Sequence, residues 1–346
     1  MIRFGKPSEF LIDLKKDLFL QNDAKLEEIK QVAQLYRTQP RRTKCKMCTE
    51  QLGSVTFRKL GIQYITCGRC GHLNGAHEDT EEFCAALYTR DGGKSYAQTY
   101  YSENEEAFYE RVRHIYLPKA LFLTDALSEI NEDPKYLSFA DIGAGSGYFV
   151  SALLQSGMDD VVGYEVSKSQ VEFGNSMLKT DLLKQHSLSD VMAICANLES
   201  DVVTLIGVLE HLRKPRELLA ALRNNDSVHY LFFSVPLFSP CVFFEMVFPE
   251  VAPRHLVAGH THLYTKDSID HFCQEFGLEK VAEWWFGSDV MDLYRSVAVM
   301  LDHLPETGSM FERWKNVFQP LIDDIQMEID KRRASSEVHM LVQVKR

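Results

Sequence analysis

The run FADIGAGSGYFV, residues 139–150, holds three structural signals in twelve positions. Apolar residues from Tyr136 to Ile142 predict a buried strand, Gly143, Gly145 and Gly147 alternate through a turn, and residues 148–155 carry helical spacing. Such a strand–turn–helix unit presents unpaired N–H groups and the positive end of a helix dipole to a phosphate or ribose. Glycines are required because a side chain would block close approach of the backbone. Asp141 falls at the end of this strand. Glu165 closes a second apolar strand, VVGYEV, about 20 residues beyond the turn, where a doubly wound fold places its ribose-binding carboxylate. A dinucleotide fingerprint would need its third glycine at position 148, which is Tyr148, so the turn is a poor NAD site.

The pattern D-x-G-x-G-x-G, followed by an acid at the end of the next strand, resembles the S-adenosylmethionine (SAM) site of class I methyltransferases. The resemblance implies an α/β, doubly wound, mostly parallel seven-stranded sheet. It also implies SAM contacts from Asp141, Gly143, Gly145 and Gly147, with Glu165 on the ribose hydroxyls. The next clear strand is DVVTLIGV, residues 201–208, a continuous apolar run of the parallel-sheet type. Open parallel sheets bind ligands at the carboxyl ends of their strands, which puts Gly207, Glu210 and His211 beside the methyl donor. The run VLEHL, residues 208–212, resembles the fourth-strand motif of ubiquinone-biosynthesis methyltransferases. In that type a glutamate–histidine pair meets the acceptor, and some members add an upstream carboxylate to hold a divalent ion. The upstream position here is Gly207, a departure that argues against a catalytic metal. His211 is then a candidate general base, since neutral imidazole accepts a proton near neutral pH, or else a residue that fixes the loop. A third strand near residues 192–195 would bring Asn197, Leu198 or Glu199 beside the adenine.

At 346 residues the chain can bury a large core, and its formal net charge of -11 argues against a general nucleic-acid binder. Acids and lysines interrupt the first apolar residues, so no secretory signal is read and a cytoplasmic location is expected. The apolar stretch HYLFFSVPLFSPCVFFEMVF, residues 229–248, contains Pro236, Pro240 and Glu245. It predicts a buried strand, a loop and a short helix, not a membrane span.

Ahead of the glycine turn, residues 1–40 predict a helical arm. Cys45-x-x-Cys48 and Cys67-x-x-Cys70 lie eighteen residues apart in the spacing of a zinc ribbon, over residues 41–80. Four thiolates close a tetrahedral site, so a Zn²⁺ there would be structural, with disulfides the alternative disfavoured by a reducing compartment. Basic residues including Arg41, Arg42, Lys46 and Lys59 cluster in this segment and suit a nucleic acid, a diphosphate-bearing ligand or a solvated face. Residues 81–130 form a tyrosine-rich linker and helical cover. In the zinc-ribbon methyltransferases that the chain resembles, this segment closes over SAM and acceptor, making Tyr96, Tyr100 and Tyr101 candidate contacts.

Residues 131–346 are assigned to the SAM domain, with two helices inserted at about 289–333 before an antiparallel last strand, VHMLVQV. That insertion is a candidate homodimer face. Cys84, Cys195, Cys241 and Cys273 show no ligand spacing and are read as buried small hydrophobes. His255, His260, His262 and Tyr264 concentrate in one loop, for which acceptor recognition is the preferred reading, with His260 a candidate, and a structural role the alternative.

A zinc ribbon ahead of this domain resembles the sugar methyltransferases that act on nucleotide-linked sugars at carbon or oxygen. The resemblance implies an activated sugar as acceptor, with His211, Glu210, Tyr101 or His260 in the chemistry. An RNA methyltransferase reading RNA through the ribbon, and a non-catalytic SAM-binding scaffold, are the rivals.

Overall fold

A computed structural model describes residues 1–14, 21–88, 104–257, 259–304 and 310–346. Tyr96, Tyr100 and Tyr101 lie outside the described residues. The strands are, in chain order, β1 (Ile2–Phe4), β2 (Phe57–Lys59), β3 (Ile62–Thr66), β4 (Leu73–Gly75), β5 (Phe139–Ile142) and β6 (Val161–Glu165). They continue with β7 (Leu183–Gln185), β8 (Val202–Ile206), β9 (Tyr230–Pro236), β10 (His262–Leu263), β11 (Leu278–Phe286) and β12 (Glu337–Val344).

Eight strands form the main sheet, in the order β1-β11-β12-β9-β8-β5-β6-β7. The neighbours β5 to β9 pair in parallel, whereas β12 runs antiparallel to both β9 and β11. The sheet has eight strands where seven were expected, and six of them, β5, β6, β8, β9, β11 and β12, fall where the sequence placed them. The eighth is β1, which pairs in parallel with β11 at the edge, Ile2 opposite Glu283 and Phe4 opposite Trp285. Its three residues carry too little periodicity to be read as a strand from sequence, and pairing with β11 is what makes it one.

The strands β5, β8 and β9 are buried on both faces, which is why their sequences are continuous apolar runs instead of alternating ones. One side of the sheet packs Ile142, Leu205, Phe233 and Trp285 into a core that also contains all four cysteines of the ribbon. The other side packs Phe139, Phe149, Phe232 and Trp284 against the helix Leu117–Glu129. The apolar run 229–248 resolves as β9 and a helix, Pro240–Val247, whose first turn is capped by the Ser239 hydroxyl accepting from the Cys241 N–H. No helix among the described residues is long and apolar enough to cross a membrane.

The third strand differs from expectation. It is β7, at residues 183–185, and residues 191–196 form a short helix. Asn197 ends that helix, donating its side-chain N–H to the Ala193 carbonyl at 2.7 Å, a local bond that competes with extended structure. The insertion also departs from two helices. Its described residues hold three, Asp289–His303, Met310–Phe318 and Ile322–Lys331.

The ribbon forms a second, four-stranded sheet in the order β10-β4-β3-β2. Its outer strand β10 comes from the histidine loop nearly two hundred residues later, with His262 opposite Asn74 and Leu263 opposite Leu73. His72 and His262 join ring nitrogens at 2.9 Å, and both are fully buried, so His262 belongs to this junction. Part of the segment's basic character is consumed internally, while Arg41, Lys44, Arg58 and Arg69 stay exposed. Arg42 pairs with Glu78 at 3.0 Å and Asp79 at 3.3 Å, Lys46 pairs with Asp79, and Lys59 donates to the Glu245 carbonyl. Those buried cations are structural partners and present no face to a nucleic acid.

Candidate active site

A cavity of about 470 Å³ opens at the carboxyl ends of β5, β6, β8 and β9. At one end lies the glycine turn. Gly143 and Gly145 adopt φ of 73° and 55°, and a Cβ on Gly143 would stand 2.7 Å from Val208. Those two line the cavity, whereas Gly147 does not. Gly147 instead starts the helix Tyr148–Gln155 with φ 76°, where a Cβ would meet Leu183 at 3.0 Å and Leu178 at 3.2 Å. Its hydrogen atom is required by packing.

The carboxylate of Glu165 is held by two backbone donors. Gly145 N–H donates to Oε2 at 2.9 Å and Ser167 N–H to Oε1 at 2.8 Å. Each oxygen keeps a lone pair for a further donor, so the acid is fixed in place and still able to accept. Asp141 accepts from the Thr204 hydroxyl at 2.6 Å; burial pushes its carboxyl up to about 7, against the effect of that bond and assisted by Glu165. Asn197, expected beside the adenine, is not a lining residue, and β7 contributes His186 and Leu188 just beyond its end instead.

At the other end stand Glu210, His211 and His260. Gly207, at φ 68°, ends β8 with its N–H on the Ser234 hydroxyl at 2.9 Å, and the chain then turns to carry Glu210 and His211 into the cavity wall. His211 Nδ1 lies 3.3 Å from the Gly259 carbonyl and His260 Nδ1 lies 3.2 Å from the His255 carbonyl. A carbonyl can only accept, so both rings carry the proton on Nδ1 and present Nε2 as the basic nitrogen. Burial lowers His211 to about 4 and His260 well below its ordinary value, so both are neutral at pH 7. Glu210 is 5% exposed, and its Oε2 has no hydrogen-bond partner among the described residues. Burial raises its carboxyl to about 8, opposed by its own backbone N–H and by Lys119. The site therefore holds a protonated acid next to neutral imidazoles, the separation that acid–base work requires.

Glu210, His211 and His260 also bring one donor atom each within 4.8 Å of one another, a carboxylate with two imidazoles of the kind that late first-row divalent ions accept. Sequence spacing missed this meeting because His260 arrives from a loop 49 positions after His211. Cys241 corrects a second expectation. It is a polar partner in a buried cluster, its Sγ at 3.3 Å from His255 Nδ1 and 3.1 Å from Asp292 Oδ2. Glu245 in that cluster accepts from the backbone N–H groups of Arg254, His255 and Leu256, which pins the histidine loop. Away from the cavity, the ribbon cysteines Cys45, Cys48, Cys67 and Cys70 converge with all four sulfurs buried and within 4.8 Å of one another.

Other lining residues carried no readable signal. Arg111, Ile115 and Tyr116 come from a helix that widens into a π-type turn at Val112–Tyr116, and Lys6, Lys119 and Glu337 come from three remote segments.

Residues 111–283 match the family model described as a methyltransferase domain. No curated protein matches the sequence. Solved structures similar to the chain include magnesium protoporphyrin IX methyltransferase from Synechocystis PCC 6803 with bound SAH, at 11% identity over 77% of this chain and 100% of that one, with a TM-score of 0.48. Another is geranyl diphosphate C-methyltransferase from Streptomyces coelicolor A3(2), in complex with Mg²⁺, geranyl diphosphate and S-adenosyl-L-homocysteine, at 14% identity over 71% and 85% with a TM-score of 0.41.

Proposed function

The chain belongs to the methyltransferase-domain family, whose members depend on SAM, and we propose that it transfers a methyl group to a small polar acceptor held against Glu210, His211 and His260. The observation that carries this reading is a single cavity with the glycine turn and Glu165 at one end and the acid–imidazole group at the other. Asp141, Gly143, Gly145 and Glu165 would hold the donor, the last through ribose hydroxyls. The two backbone bonds to Glu165 leave its carboxylate oriented for that task. When bound, SAM supplies an electrophilic methyl group for in-line displacement.

The protein's own work is alignment, exclusion of water and movement of one proton. His211 Nε2 is the proton acceptor we assign, because its Nδ1 is committed to the Gly259 carbonyl and the ring is neutral. Glu210, protonated at pH 7, is placed to donate a hydrogen bond to an acceptor oxygen and so to stabilise an enolate or alkoxide as it forms. His260, its ring centroid 5.0 Å from that of His211, completes the wall. A nucleotide-linked or otherwise activated sugar, methylated at carbon or oxygen, fits an end with an acid and a base at hand. The buried four-cysteine cluster suits a structural Zn²⁺, held by Cys45, Cys48, Cys67 and Cys70 with no position left open for chemistry.

Isotope-labelled SAM, incubated with the protein and a cell extract separated into nucleotide-sugar, RNA and protein fractions, tests the assignment. Label in the nucleotide-sugar fraction supports it and identifies the methylated position. Label confined to RNA or protein would overturn the acceptor, and SAM that binds without transfer in any fraction would point to a scaffold.

A further inference from the structure

Lys6 has no part in the chemistry above, yet it lines the same cavity. The edge strand β1 delivers it there. After Phe4 pairs opposite Trp285, Gly5 donates its N–H to the Trp285 carbonyl at 3.0 Å and accepts from Trp284 Nε1 at 2.8 Å. The chain turns at Gly5, φ 77°, and Lys6 Nζ comes to 5.3 Å from the centre of the Phe286 ring. Lys119, from the helix Leu117–Glu129, reaches the same end of the cavity and is only 7% exposed.

Charge at this end does not balance. Glu337 stands 3.7 Å from Lys119 and 2.7 Å from His339 Nε2, while Lys6 makes no ion pair among the described residues. Two ammonium groups therefore share one carboxylate that already has other partners. The imbalance is local, because the chain as a whole carries a formal net charge of -11. Burial and the neighbouring Lys119 bring Lys6 down to about 7, with Glu337 opposing, so an anion bound beside it would favour its charged form. Burying unpaired positive charge is costly, and a protein keeps it where a ligand supplies the counterion.

We propose that Lys6 and Lys119 form an anion-binding end of the acceptor cavity, and that the acceptor carries a carboxylate or phosphate group held between them. The word acceptor rests on the methyl-transfer reading, whereas the anion site itself does not. Held at this end, the charged group would fix the orientation of the rest of the molecule toward Glu210, whose carboxyl feels the same Lys119. A neutral acceptor would leave the surplus unanswered. The N-terminal strand thus becomes a specificity element, and its pairing with β11 is what aims it.

The test is calorimetric titration of the full chain, saturated with S-adenosylhomocysteine, with inorganic pyrophosphate and separately with succinate, which distinguish a phosphate from a carboxylate site. The expected result is binding of at least one probe by the natural protein and a loss of tenfold or more in Lys6→Met, with affinity retained in Lys6→Arg. Lys119→Met should weaken the same probe, and a thermal melt shows whether that buried position still folds. Failure of both probes to bind the natural protein, or equal binding by Lys6→Met, overturns the proposal. Titration with S-adenosylhomocysteine itself is the separate check. Its failure to bind would sink the methyl-transfer reading and would not alter the result for the anion.

Discussion

Replacing Glu210 by Gln should make the protein more stable at alkaline pH and less active at every pH. Moving a carboxyl from 4.5 to about 8 by burial corresponds to about 5 kcal/mol of differential interaction between its protonation states. The group is 5% exposed, so little of that is screened by solvent. Because the folded value lies above the unfolded one, the native state binds the extra proton. The contribution to stability is complete below pH 4.5 and is lost as pH rises through about 8. Between pH 5.5 and 8 that loss amounts to about 3 kcal/mol, or roughly 4 °C in Tm for a chain of this size.

Glutamine keeps the shape and cannot titrate. Thermal unfolding of the natural protein and Glu210→Gln across this range should give curves whose separation widens with pH in favour of the variant. Asp141 and Asp330, both raised to about 7, tilt both curves equally and drop out of the difference. If the two curves run parallel, Glu210 titrates normally and the acid assigned to the site does not exist. In turnover, loss of a positioned acid costs about 10²- to 10⁴-fold in kcat.

Other consequences can be read separately. Glu165→Ala should weaken SAM about 10²-fold in equilibrium titration, since hydrogen bonds to a charged acceptor contribute roughly 1.5–3 kcal/mol each; unchanged affinity would remove Glu165 from the donor site. Gly147→Ala forces a left-handed backbone onto a residue with a Cβ, at about 1–2 kcal/mol before the Leu183 contact is counted, so its Tm should fall; a Tm equal to that of the natural protein would refute the packing role. His211→Gln should lower kcat and leave SAM affinity intact, with equal losses in both arguing for a role in folding the loop. Chelation of the four-cysteine site should speed hydrogen exchange at residues 260–265 as well as in the ribbon, because β10 is the outer strand of the ribbon sheet; exchange confined to residues 41–80 would show the two to be independent.

The strand–turn–helix unit proposed to hold the donor was legible because it is local. Strand, glycine turn and helix occupy one short run, and Glu165 follows at the distance that one crossover imposes. The sheet was legible for the same reason, since β5, β8 and β9 are buried on both faces and must be apolar throughout. What failed is non-local. A strand of three residues at either edge, β1 or β7, is specified by its neighbour and not by its own pattern, so β1 was missed and β7 was displaced toward an apolar run that is helical. His262 was indistinguishable from His260 by composition. The structure separates them by burying one against His72 in the ribbon and placing the other in the cavity wall. The sequence did not separate Arg42 and Lys46 from the exposed cations of the ribbon, because the acids that pair with them, Glu78 and Asp79, lie past the second cysteine pair and fold back.

Charge in the cavity is sorted by end, and the sorting bears on how a reaction there would complete. Glu165 and Asp141 stand at the glycine turn, where the proposed sulfonium donor would bring positive charge. Lys6 and Lys119 line the end that also holds Glu210, His211 and His260, groups that burial keeps neutral, and there the proposed acceptor would bring negative charge. A uniformly acidic cavity would hold the donor and repel an anionic acceptor, and a uniformly basic one would do the reverse. Transfer of the methyl group cancels the positive charge at sulfur, so the carboxylate end loses an electrostatic partner on turnover. The lysine end keeps its partner when a methyl group is added elsewhere on the acceptor. Discrimination between substrate and product should therefore be stronger for the donor than for the acceptor, and that asymmetry follows from where each charged side chain sits.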